Sequence, residues 1–190
     1  MAWTGTNAAG RTWRWRLTVE SGVSYRGILS TGSGPIKMVD DTIPAGGAGD
    51  EPQSAFEQAL AAYQKGGSAE ELLPTFLDIV RNSPNHGAAW TCLCWLQLLD
   101  SRPLAALKSG RMAVRLSPQD PQARLNLSLA MLETSTKGVR EQIQKIQKAL
   151  TLSPELTEEL RQSMVDGLER RGDWQALRKA KTWIFPARDS

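Results

Sequence analysis

From residue 53 onward, apolar positions recur every three or four residues, the period of helices that bury one side. "SAFEQALAAYQKGG" and "AEELLPTFLDIVRNSP" predict the first two helices, with Gly66-Gly67 and Ser83-Pro84 as their ends. The phrase that closes the second helix then recurs: "IVRNSP" at 79–84, "AVRLSP" at 113–118 and "ALTLSP" at 149–154. The prolines of these phrases stand 34 and 36 residues apart, and Pro186 follows after 32 more. A period near 34 that holds two helices predicts stacked helix pairs, in which each pair covers the apolar face of the next. Upstream the period changes. "TWRWRLTV" sets Trp13, Trp15, Leu17 and Val19 against Thr12, Arg14, Arg16 and Thr18, a strict alternation that reads as strand. A lone strand has nothing to pair with in a helical stack. Between the two patterns, residues 38–52 combine acids, glycines and prolines and read as a solvated linker.

The unit at 87–118, "GAAWTCLCWLQLLDSRPLAALKSGRMAVRLSP", closely resembles the tetratricopeptide repeat family. Trp90 and Leu93 match the large positions of the first helix, and Cys94 matches the small position where the two helices touch. Ala106 and Ala113 match the small positions of the second helix, and Pro118 closes the unit. Helices joined by a tight turn approach only where side chains are small, and a large aromatic fills the wedge that opens beyond the contact. Gln97, where an aromatic is usual, and Gly110 depart from the pattern. The unit at 53–84 supplies Tyr63 and Phe76 at two aromatic positions. The unit at 121–154 supplies Leu127, Ser128 and Ala149, with Asp120 as helix cap and Pro121 as first helical residue. A degenerate fourth unit at 155–186 keeps "RRGDW" as its turn. The expected fold is therefore all-α, a tetratricopeptide-like solenoid of about four antiparallel helix pairs over 53–186, preceded at 1–52 by an extension without fixed structure. "AAWTCLCWLQLL" and "PQDPQARLNLSLAMLE" are also similar to small repeat proteins of cyanobacteria and plastids, a likeness that implies a role in assembling larger complexes.

Charge modifies this picture at one end only. Arg11, Arg14, Arg16, Arg26 and Lys37 face Glu20 alone in residues 1–37, so this segment supplies all of the chain's +3 excess. The basic, aromatic segment carries a second reading, contact with nucleic acid or an anionic membrane through residues 10–26. It also has the composition of an organelle transit peptide, which points to plastid or mitochondrion instead of the default cytoplasm. Met38, where the basic composition stops, is a candidate true start of the chain, with residues 1–37 as sequence upstream of it.

Catalysis is poorly provided for. His86 is the only histidine and sits at a helix start, where capping or plain solvent exposure accounts for it. Cys92 and Cys94 point to opposite sides of a helix, which excludes a disulfide scaffold and a shared metal site. "GILSTGS" has phosphate-loop glycine spacing but places Ser33 where a lysine is needed. Asp40-Asp41 reads as solvated linker, and Glu70-Glu71 and Glu158-Glu159 as helix first turns. No enzyme, cofactor or metal site is expected.

The resemblance directs attention to the concave face, which first helices line in this family. Its lining would be Trp95, Leu98 and Leu99 from one unit and Leu125, Leu129 and Leu132 from the next. That apolar run implies a scaffold binding an apolar or amphipathic peptide or helix. Two other readings stay open: the groove is narrow and these residues are core, or the chain's own terminus covers them. A clamp for the acidic tails of chaperones is not expected, because only Asn126 stands in place, with Glu57, Ala61, Cys92 and Gln122 at the other positions.

Overall fold

A computed structural model describes residues 2–6, 12–16 and 51–186, with side chains from residue 55. Among the described residues the fold is a tetratricopeptide-like helical solenoid. Helices α1 (Glu51–Gln64) and α2 (Ala69–Asn82) form the first pair, α3 (Gly87–Leu99) and α4 (Pro103–Leu116) the second, and α5 (Pro121–Glu133) and α6 (Val139–Leu150) the third. α7 (Pro154–Arg171) and α8 (Gln175–Ile184) complete the chain. The first helix begins at Glu51, inside the stretch expected to be linker; the rest of that linker and Met38 lie outside the described residues.

The alternating amino-terminal segment finds a partner within its own neighbourhood. Strand β1 (Ala2–Thr6) pairs antiparallel with β2 (Thr12–Arg16), setting Trp3 opposite Trp15 and Gly5 opposite Trp13. The pairing that the solenoid cannot supply to a strand thus comes from five residues upstream of it.

Side chains cap the starts of four helices. Ser68 and Glu71 exchange hydrogen bonds in a capping box at α2 (3.2 and 3.1 Å). His86 Nδ1 accepts from the Ala89 N–H at α3, and Asp120 from the Gln122 N–H at α5. Pro103, Pro121 and Pro154 each occupy a first helical position, where a missing N–H costs nothing.

Cys94, Ala106 and Ala113 are fully buried, with Cys94 Sγ 3.2 Å from the Ala106 carbonyl. Leu93 is buried beside them, and Trp90 donates its indole N–H to the Pro84 carbonyl at 2.8 Å. Pro118 stands exposed while its carbonyl accepts from Arg124 Nε, which ties the end of one unit to the next. Gln97 is buried where an aromatic would fill space, and among the described residues its Oε1 has no hydrogen-bond partner.

Gly110 has a steric reason. A Cβ there would lie 3.1 Å from both Cys94 Sγ and the Leu127 Cα, so α4 meets α3 and the backbone of α5 at one point. Gly110→Val should lower stability by about 1–3 kcal/mol through overpacking. Urea denaturation checks this, and an unchanged midpoint contradicts the close contact.

Candidate functional site on the inner face

α3 and α5 are the centre of the molecule. Every residue of α5 from Pro121 to Met131 is buried, and so is the run from Leu93 to Leu98 in α3. Of the residues expected to line an open groove, Trp95, Leu98, Leu125 and Leu129 are at most 2% exposed, and Leu99 and Leu132 are half-buried. The open groove is corrected accordingly: the chain's own carboxy-terminal helices cover it.

The occupant is α7, 18 residues long against 12 to 14 for the six helices before it. Its direction follows from a changed use of one motif. Ser83 and Ser117 cap the carboxyl ends of α2 and α4, and four residues separate each of those helices from the next. The equivalent Ser153 instead caps the start of α7, accepting from the Leu156 N–H, and Pro154 is already helical. α7 therefore begins immediately after the motif and leaves the register of the earlier first helices. Glu158-Glu159, expected in its first turn, lie a turn further on, and Glu155 takes that place. α8 then packs against α5 and α6, and Gln147 donates to the Trp183 carbonyl at 2.9 Å.

α7 reaches all three preceding first helices. Leu160, Ser163, Met164 and Gly167 form its buried side at helical spacing. A Cβ on Gly167 would lie 2.7 Å from Trp95 Cη2 and 2.9 Å from Leu177 Cδ2, so only glycine admits the Trp95 ring here. That ring packs at a 41° tilt against Trp174, 5.4 Å between centroids; Trp174 follows α7 and is 1% exposed. Burying Leu160, Met164 and Leu177 stabilises the contact by about 1.5–3 kcal/mol each.

Polar anchors set the position of α7 along the face. On α5, Gln122 Oε1 accepts from Ser163 Oγ (2.8 Å). The Gln122 amide donates to Asn126, whose own amide donates to the Thr91 carbonyl. Asn126 is fully buried and engaged at both ends, so it cannot greet a peptide carboxylate. On α1, Tyr63 hydrogen-bonds Asp166 of α7 and accepts from Trp95 Nε1 (2.8 Å). Burial, followed by the neighbouring Asp166 carboxylate, raises the Tyr63 pKa well above the usual phenol range.

The two arginines ending α7 address the ends of other helices. Arg170 donates to the Tyr63 and Gly67 carbonyls (3.0 and 3.1 Å), and Arg171 to the Leu98 carbonyl (2.8 Å). The Tyr63 and Leu98 carbonyls lie in the last turns of α1 and α3, at the negative ends of those dipoles, where each also accepts a backbone N–H, from Gly66 and Ser101; Gly67 stands in the turn beyond α1. Arg171 and the Trp174 indole both donate to Glu133 Oε1 at 2.6 Å. Tyr63, Gln122, Glu133 and the α7 residues were absent from the expected site. The available signal was the lack of a polar side on α3 and α5, which marks helices covered all round.

Among the described residues, no three His, Cys, Asp or Glu side chains are placed to hold a metal ion. Burial raises the thiol pKa of Cys92 to about 12 and that of Cys94 further, leaving neither a reactive thiolate at neutral pH. A recess between Leu60, Tyr63, Phe76, Cys92, Trp95 and Leu96 measures about 10 Å³, room for one water at most. Of the basic segment at 10–26, only the backbone of Thr12–Arg16 falls within the described residues.

No family model matches this sequence, and no curated protein matches it. Among solved structures it is similar to a chain described as "MamA RS-1 ArsTM double mutant", with 20% identity and a TM-score of 0.48. The similarity covers 72% of this chain and 74% of that one. The tetratricopeptide-like fold rests on the stacked helix pairs themselves.

Two outcomes test this geometry. Leu129→Arg places an unpaired charge in the core and should cost about 4 kcal/mol or more. It should abolish the cooperative thermal transition, and a native-like melt contradicts the covered face. His86 packs against the Phe56 ring, and partial burial lowers its pKa. Only neutral Nδ1 can accept from Ala89, so the cap is intact above the ordinary histidine pKa of about 6.5 and is lost as pH falls through the lowered value. The melting temperature of the native chain should drop across that window and that of His86→Asn should not; parallel curves overturn the assignment.

Proposed function

We propose that the chain is a non-catalytic scaffold for protein–protein interaction whose inner face accepts an amphipathic helix, serving the assembly of a larger complex. One observation carries this reading: α7 already lies across the face through a narrow stripe of apolar, small and hydrogen-bonding side chains. Helix-in-groove recognition uses anchors at the same spacing. The family's usual ligand surface is here filled in cis, and α7 displays the chemistry that a ligand in trans must reproduce.

Releasing α7 tests the reading. Gly167→Leu drives a side chain into Trp95 and Leu177, and it should expose Arg161, Arg170 and Arg171 to trypsin while the remaining helices keep a cooperative melt. A labelled peptide of the α7 sequence should then bind the variant at least about tenfold more tightly than the native chain, whose site is occupied. Replacing both arginines of the peptide by alanine should weaken that binding. A released, folded variant that ignores the peptide defeats the proposal.

A further inference from the structure

Besides the helices it covers, α7 meets one further element: the amino-terminal strand β2 lies against it. Its inward side is the stripe Leu160, Ser163, Met164 and Gly167. The side turned away from the inner face follows at the same helical spacing and consists of Glu155, Glu158, Gln162, Val165 and Glu169, three carboxylates and no base. The glutamates at its two ends are exposed, whereas Gln162 and Val165 in its middle are half-buried. On the outward side of a helix, such cover is what a strand laid across it produces.

The charges of the two elements are opposite. β2 carries Arg14 and Arg16, and neither β2 nor β1 contains an acid. The register puts Arg14 and Arg16 on one face of the ribbon, with Thr4 and Ala2, and Trp3, Trp13 and Trp15 on the other. A two-stranded hairpin alone in water is marginally stable at best, so this one needs a surface to lie on. The segment that reads from sequence as a contact for nucleic acid or anionic lipid thus meets an anionic surface within its own chain. We propose that the hairpin is an electrostatic strap: Arg14 and Arg16 pair with the outward glutamates of α7 and hold that helix on the inner face. The apolar stripe determines where α7 lies, and the strap determines how readily it leaves. The hairpin thereby regulates access to the inner face, a role that rests on reading that face as a helix acceptor; the strap itself rests on the β2 contact.

Hydrogen exchange of the full-length protein, resolved by helix, provides the test. Arg14→Glu with Arg16→Glu turns attraction into repulsion at the surface, and it should speed exchange of the α7 amides at least about fivefold while those of α2 stay unchanged. Adding Glu155→Arg, Glu158→Arg and Glu169→Arg to that variant should restore native protection. Added salt should speed α7 exchange in the native chain and slow it in the arginine-reversed one, because it screens attraction in the first and repulsion in the second. Native protection of α7 in the arginine-reversed chain overturns the strap, and so does a failure of the second reversal to restore it. A labelled α7 peptide separates the strap from the reading beneath it. Tighter binding to the arginine-reversed chain than to the native one supports both; faster exchange without peptide binding keeps the strap and defeats the helix-accepting face.

Discussion

The structure depends on the absence of a polar side on its two central helices. α3 and α5 are enclosed by α2, α4 and α6 on their outer sides, yet Trp95, Leu98, Leu125 and Leu129 still point inward. Four such side chains left in water would forfeit several kilocalories per mole, a large share of the stability of a small domain. α7 and α8 supply the missing cover. The departure of the fourth pair from the regular stack follows from this requirement.

Covering that face also buries polar groups, and the fold satisfies nearly all of them. Ser163, Gln122, Asn126 and the Thr91 carbonyl form one continuous chain of hydrogen bonds. Arg170 and Arg171 add hydrogen bonds to backbone carbonyls at and just beyond the carboxyl ends of α1 and α3. The two charges do not enter the core bare, since Asp166 and Glu133 accompany them. Apolar contacts hold α7 against the face, and the polar contacts fix its register. An apolar stripe alone could slide.

Much of this was legible in the sequence. The spacing of the Ser-Pro phrases and the small side chains Cys94, Ala106 and Ala113 express a geometric need of paired helices, so the repeat could be read from them. The fate of the inner face could not. Ser153-Pro154 looks like the two earlier phrases, but Ser153 serves as a helix start, and sequence similarity does not distinguish a carboxyl cap from an amino cap. Tyr63 and Gln122 read as ordinary repeat positions because their partners lie on α7, 103 and 41 residues away. His86 was readable as a cap because its partner is three residues distant.

Helix stacks in which each unit touches only its neighbours can melt from the ends, one unit at a time. The contacts from Arg170 and Asp166 back to Tyr63 join the last pair to the first, over separations of 103 and 107 residues. A linear array is thereby closed into a loop of contacts with no free carboxy-terminal unit to fray. Such a chain gains cooperativity, in that its repeats are obliged to unfold together. It also departs from an open stack, because α8 packs against both α5 and α6, the helices on which a regular next pair would be laid.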